Sequence, residues 1–132
     1  MSDDAESLKK KTAQTASTYF DRYPWDRPYD LWRSFDPALA KELSLFITGS
    51  MYARRKIPDT TRQLVAISAL TALGRSEELR LHLWAGLRVG LSREDIAEAI
   101  FQVGVYAGIP LVNQALKTFK EVLDAFEQES SP

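Results

Sequence analysis

The sequence predicts an all-α protein, a compact bundle of about six helices. Two observations indicate this class: apolar residues recur at helical spacing along most of the chain, and the 6 glycines and 6 prolines fall mainly between these periodic stretches. No stretch predicts a β-strand. At 132 residues we expect a single domain, with N-terminal helices and an aromatic segment over 1–58, a core over 59–126 and a frayed polar tail over 127–132.

Two helices, separated by an aromatic segment, are predicted in the N-terminal part. The first covers about residues 4–23, where apolar side chains fall largely on one face. Residues 24–35, PWDRPYDLWRSF, contain two prolines and four aromatic residues, and we expect them to interrupt the helical pattern. Asp36, followed by proline, predicts an N-cap for a second helix over about 37–52.

The third and fourth helices follow residue 58. Residues 59–74 are apolar around almost the whole helical circumference, which indicates a central, buried helix. The fourth helix is expected to begin at an N-cap, Ser76, and to end at Gly90.

The last two predicted helices carry wide apolar stripes. Ser92 and Asp95 predict a capping box at the start of the fifth helix, which extends to about Ala107. The sixth begins at Pro110, and its stripe continues to Phe126. Because such stripes and 11% aromatic residues are more than a small monomer needs, we expect apolar faces to be buried between subunits.

Composition argues against several classes of function. A net charge of −1 gives no support for nucleic-acid binding. The absence of cysteine excludes disulfides, zinc–thiolate sites and thiol redox chemistry, and one histidine cannot form a histidine-rich metal site. The N-terminus lacks the apolar run of a signal peptide, and no stretch approaches the ~20 apolar residues of a membrane span. We therefore expect a cytoplasmic protein without membrane, nucleic-acid or metal partners.

The single histidine is the leading candidate for a functional side chain. His82 lies in RSEELRLHLWAGLRVG, where Glu78 is one helical turn earlier and within reach of the imidazole. Ala85 and Gly86 lie one turn later, and such small residues either leave room for a ligand or let another helix pack closely. His82 is therefore either catalytic or a partly buried structural residue held by Glu78.

Arginines are the candidates for binding an anionic substrate. Arg54 and Arg55 stand at the predicted end of the second helix, where cations also suit the helix dipole without any substrate. Arg80 and Arg88 lie off the His82 face, so we expect them to be solvated. The spacing of the arginines leaves both interpretations of Arg54 and Arg55 open.

Five short motifs follow one another between residue 59 and about 123: R-x-L-V, A-L-G, E-L-R-x-H, G-L-S-x-E-D-I and V-Y-A-G-I-P. In this order they resemble the carboxymuconolactone decarboxylase family. One branch of that family, similar to the accessory protein of alkyl hydroperoxide reductase, carries a CxxC pair before the histidine. Here Arg75 and Glu78 occupy those positions, so the chain resembles the cysteine-free branch, which includes gamma-carboxymuconolactone decarboxylase.

The resemblance implies an all-helical trimer or hexamer with active sites near subunit contacts. It also implies decarboxylation of a small lactone similar to gamma-carboxymuconolactone, in aromatic-compound degradation through beta-ketoadipate, without a cofactor. His82 would supply a proton or bind the developing oxyanion, and Glu78 would orient it and favour its protonated form. The expected substrate-binding residues are Arg54, Arg55, Arg62, Gln63, Gln102 and Tyr106.

One position departs from the family pattern. Many members carry glutamate after the arginine of the R-x-L-V motif, and here Gln63 replaces it with a neutral amide. Lactone isomerases or hydrolases, or a non-catalytic oligomeric scaffold, therefore stay open as alternatives on the same fold.

Overall fold

The chain divides into two units, Met1–Ile57 and Pro58–Pro132, in a computed structural model that describes residues 2–130. All regular elements assigned between residues 2 and 130 are helical, which confirms the all-α prediction. Within the same residues, no helix combines the length and the apolar character needed to cross a lipid bilayer.

Three α-helices and a π-helical segment form the N-terminal unit. They are α1 (Ser2–Phe20), α2 (Pro28–Phe35), α3 (Pro37–Ser44) and the π-helical segment Leu45–Tyr52. α1 packs against the π-helical segment, and α2 packs against α3. A Cβ atom at Gly49 would collide with Thr12 Oγ1, so glycine is what permits the close approach of α1 to the π-helical segment.

The helix boundaries of this unit differ from the sequence prediction in three places. α1 ends before Arg22, whose φ of 64° is left-handed and stops the helix. α2 lies within the segment expected to interrupt the pattern, because Pro28 is at the first helical position, where proline is tolerated, and Asp30 accepts the Arg27 N–H at 3.1 Å. The expected second helix changes to π-helical geometry at Leu45, and the π-helical segment contains Gly49, where α1 approaches the backbone.

Four helices form the C-terminal unit: α4 (Asp59–Leu73), α5 (Ser76–Arg88), α6 (Arg93–Ala107) and α7 (Ile109–Ser130). α4 contacts each of the other three. The core between them consists of fully buried side chains, among them Ile67, Leu83, Trp84, Ile96 and Val122. The ring of Trp84 meets that of Phe126 edge-on, with centroids 5.2 Å apart.

Local signals set most helix ends in this unit. The capping box at α6 is confirmed: Asp95 N–H donates to Ser92 Oγ at 3.0 Å, and Ser92 N–H donates to Asp95 Oδ2 at 3.1 Å. The predicted N-cap at Ser76 is wrong, because this residue is already helical and its hydroxyl accepts Gln114 Nε2–H at 2.7 Å. α7 continues to Ser130, past the start of the expected frayed tail; residues 131 and 132 lie outside the described part.

The expectation that α4 is buried on all sides is wrong. Its fully buried positions are Gln63, Ile67 and Thr71, four residues apart on one face. Val65 and Leu73, by contrast, are 62% and 70% exposed. α4 is therefore central to its unit along one face only, and the other face remains apolar and open.

Candidate functional site

His82 and Gln63 form the centre of the candidate site. Gln63 lies on the buried face of α4 and is 0% exposed, and His82 lies on α5 and is partly buried. His82 Nδ1 is 2.9 Å from Gln63 Oε1, a hydrogen bond between residues 19 positions apart. The packing of α4 against α5 thus joins two predicted site residues that sequence reasoning had not paired.

The imidazole is held in its neutral form. Burial lowers the pKa of His82 to about 4, since removal from water disfavours the charged imidazolium. Glu78 is one turn earlier on α5 and partly buried, but the partner at Nδ1 is an uncharged amide. We expected Glu78 to favour the protonated form of His82, but burial lowers the pKa of the imidazole instead.

The small residues after His82 serve helix packing. A Cβ atom at Gly86 would lie 3.1 Å from Leu91 Cδ1 and 3.2 Å from Ile67 Cδ1, tighter than ordinary van der Waals contact. Ala85 is also fully buried. Of the two interpretations of these residues, the structure supports close packing at Gly86, so a ligand near His82 would have to approach from another side.

Charged groups around the pair are few. Between residues 58 and 130, the partly buried charged side chains are Asp59, Arg62, Glu78 and Arg80. Arg80 was expected to be solvated, but its side chain is 17% exposed and bridges Glu77 at 3.2 Å and Glu121 at 2.7 Å. Burial disfavours the Arg80 cation, yet the two carboxylates outweigh this and raise its pKa. Arg80 therefore joins α5 to α7.

The other predicted site residues lie on separate elements. Arg62 is partly buried on α4, directly before Gln63. Gln102 and Tyr106 are exposed on α6, with Tyr106 at 83%. The two remaining arginines, Arg54 and Arg55, are exposed in the N-terminal unit, just after its π-helical segment. Across residues 2–130, no three His, Asp or Glu side chains are grouped so as to hold a metal ion.

A groove of about 310 Å³ in the N-terminal unit is a poor anion site. It is lined by Leu31, Trp32, Phe35, Asp36, Leu39 and Leu43. Its one charged side chain is negative, and Asp36 Oδ1 already accepts the Leu39 N–H at 3.0 Å as the N-cap of α3. An acidic, otherwise apolar surface would not attract a carboxylate.

Sequence reasoning missed the contact between Gln63 and His82, although one signal pointed to it. Gln63 is the first of three residues, with Ile67 and Thr71, that are spaced four apart on the buried face of α4. A glutamine on the buried face of a helix needs a hydrogen-bond partner, because burying an unbonded amide is costly. That requirement could have predicted a polar partner on a neighbouring helix, but not which one.

Comparison with known proteins gives the following matches. A family model described as the carboxymuconolactone decarboxylase family matches residues 37–121, which include Gln63 and His82. Over 80 residues the chain is 40% identical to 4-carboxymuconolactone decarboxylase of Acinetobacter baylyi, covering 61% of this chain and 60% of that protein. Over 95 residues it is 28% identical to an uncharacterized 15.0 kDa protein in the nqo9-nqo10 intergenic region of Paracoccus denitrificans, covering 70% and 71%.

These matches confirm the resemblance and enlarge it. The family match begins at residue 37 rather than 59, so α3 and the π-helical segment belong to the shared region. The aligned part of the Acinetobacter protein is less than two thirds of its length.

Proposed function

This chain belongs to the carboxymuconolactone decarboxylase family, and from that membership we propose that it is a cofactor-free carboxy-lyase. Its substrate is a small carboxylated lactone similar to gamma-carboxymuconolactone. The observation that carries the proposal is the 40% identity to a protein named 4-carboxymuconolactone decarboxylase. The reaction would belong to aromatic-compound degradation through beta-ketoadipate, in the cytoplasm.

The proposed reaction requires the protein to perform three functions. The bond between the ring carbon and its carboxylate breaks, CO₂ leaves, and the electron pair moves through the C=C bond into the lactone carbonyl. The resulting dienolate is protonated on carbon, so one proton is consumed for each CO₂ released. Because the lactone is its own electron sink, the protein must bind the carboxylates, stabilise the oxyanion and deliver the proton.

We assign proton delivery to His82. Its imidazole is neutral at rest, since burial lowers its pKa to about 4. A bound dianion would draw a proton onto the ring, because a nearby negative charge favours the imidazolium. The imidazolium then transfers this proton to the dienolate carbon, returns to its neutral form and is reprotonated from solvent in the next cycle. Glu78, one turn earlier on α5, would assist the transfer of a proton from solvent to the imidazole.

The carboxylate that stays on the product needs a cation. Arg62 supports this role best, because it is partly buried and adjacent to Gln63 on α4; Arg54 and Arg55 are the alternatives. Gln102 and Tyr106 would be polar wall residues. Both are exposed on α6, so they would meet a substrate only at a surface, as in an active site near a subunit contact.

We propose that the protein is a homo-oligomer, a trimer or a hexamer. Phe101, Val105 and Tyr106 are 54%, 73% and 83% exposed on α6, and no charged residue occurs between Glu98 and Lys117. Such an uncharged apolar surface is typical of an interface. Sedimentation velocity at micromolar concentration should show a trimer or hexamer, and Val105→Asp should shift it to smaller species. A stable wild-type monomer would contradict the assembly.

A second candidate is a protein in which His82 is structural, either a non-catalytic scaffold or a lactone isomerase or hydrolase. The packing at Gly86 and the amide at Gln63 favour it, because both fit a histidine held inside a helix pair.

The deciding experiment is incubation of the protein with gamma-carboxymuconolactone, following both loss of the lactone and release of CO₂. The wild type should release one CO₂ for each lactone consumed. Thr71→Val, a control substitution on the buried face of α4 that also carries Gln63, should do the same. His82→Ala should release CO₂ about a hundredfold or more slowly than the wild type. Loss of lactone without CO₂ would indicate the isomerase or hydrolase, and no loss of lactone would refute an activity on this substrate.

A further inference from the structure

We infer that Gln63 is a positioning residue that fixes the tautomer of His82, so that Nδ1 keeps a proton and Nε2 is the nitrogen that gains and loses one. The inference rests on the proposed function for its catalytic meaning. Its geometric basis is the 2.9 Å contact between Gln63 Oε1 and His82 Nδ1.

The donor and acceptor roles follow from the atoms involved. A carboxamide oxygen can only accept a hydrogen bond, so the nitrogen facing it must be the donor. In a neutral imidazole one nitrogen carries the proton and the other carries the lone pair. With Nδ1–H donating to Gln63, the lone pair is on Nε2.

The surroundings of Gln63 indicate that its side chain serves His82. The residue is fully buried, and its Nε2 has no hydrogen-bond partner within residues 2–130. A buried amide whose NH₂ group is unbonded is unfavourable compared with an apolar side chain of similar size. The amide at this position therefore does not stabilise the fold through its NH₂ group, and its described polar contact is the one to the imidazole.

The charge of the partner matters as much as its position. Gln63 is neutral, and the partly buried charged residues of α4 and α5 are Asp59, Arg62, Glu78 and Arg80. The charged side chains of α6 and α7 are all exposed. A carboxylate in place of Gln63 would stabilise an imidazolium and hold its proton; the amide orients the ring without doing so. The imidazolium formed when a dianion binds is then a strong acid, suited to protonating carbon.

The chain offers a direct test, because His82 is its one histidine and both imidazole ¹⁵N signals belong to it. In ¹⁵N-labelled wild-type protein at neutral pH, two-bond ¹H–¹⁵N correlations should show a protonated Nδ1 and an unprotonated Nε2. Gln63→Leu should release the ring toward the opposite tautomer, with the proton on Nε2. Thr71→Val, equally buried on the same face of α4, should leave both signals unchanged.

A charged variant tests the second half of the inference. Gln63→Glu should raise the pKa of His82 by about one unit or more, seen as a shift of its ¹⁵N titration to higher pH. An Nε2–H tautomer in the wild type would overturn the inference without any variant, as would an unchanged tautomer in Gln63→Leu. These readouts do not depend on turnover: an Nδ1–H protein that leaves the lactone intact refutes the proposed function alone, and an active Nε2–H protein refutes the role of Gln63 alone.

Discussion

The burial of His82 should make the stability of the fold depend on pH in a defined range. The folded-state pKa is about 4, and that of an unfolded chain is about 6.5. Between these values the unfolded chain binds more protons than the folded one. The stabilisation is therefore complete above about pH 6.5 and declines as the pH falls toward about 4.

The magnitude follows from the same two pKa values. One pKa unit corresponds to about 1.4 kcal/mol, so the free energy of unfolding should fall by about 2 kcal/mol between about pH 7 and pH 5. The full loss reaches about 3 kcal/mol below pH 4. Urea unfolding followed by circular dichroism at a fixed protein concentration would measure it, since assembly makes stability depend on concentration.

His82→Gln is the matched control for this experiment. It keeps a neutral polar side chain opposite Gln63 and removes the only imidazole, while every carboxylate stays the same. The variant should lack the decline of about 2 kcal/mol, so the difference between the two proteins isolates His82. Equal declines in both proteins would refute the argument. A wild type that gains stability relative to the variant as the pH falls would show instead that a carboxylate, such as Glu78, dominates.

Further substitutions test the catalytic assignment, a helix cap and the core. His82→Ala should lower turnover on the lactone about a hundredfold or more; a less stable variant with full activity per folded subunit would support a structural histidine. Ser92→Ala should lower the free energy of unfolding by about 1 kcal/mol in urea, because the Asp95 N–H loses its acceptor. Ile67→Ala should cost about 2–5 kcal/mol in the same measurement, whereas Val65→Ala, on the exposed face, should change the stability of the dilute protein by less than about 0.5 kcal/mol. Peroxide reduction with a dithiol donor should stay at the uncatalysed background, since the chain has no thiolate.

The amino-acid sequence alone predicted features that are formed by residues within about one helical turn of each other. The N-cap at Asp36 and the capping box of Ser92 and Asp95 are examples, because each bond joins residues three apart. The periodic apolar stripes predicted the helices because side chains three and four residues apart lie on the same face of a helix. Residues 24–35 show where this reasoning failed: proline interrupts a helix in its interior but is tolerated at its first position, and Pro28 is the first residue of α2.

The pairing of Gln63 with His82 could not be read in the same way. The two residues are 19 positions apart on different helices, and their contact depends on how α4 packs against α5. The protonation state of His82 is also a property of packing: Glu78 at one-turn spacing suggested a raised pKa, but the helices around the ring exclude water and lower it. Local chemistry specifies which groups are present, whereas their desolvation and their partners arise only when distant segments are brought together.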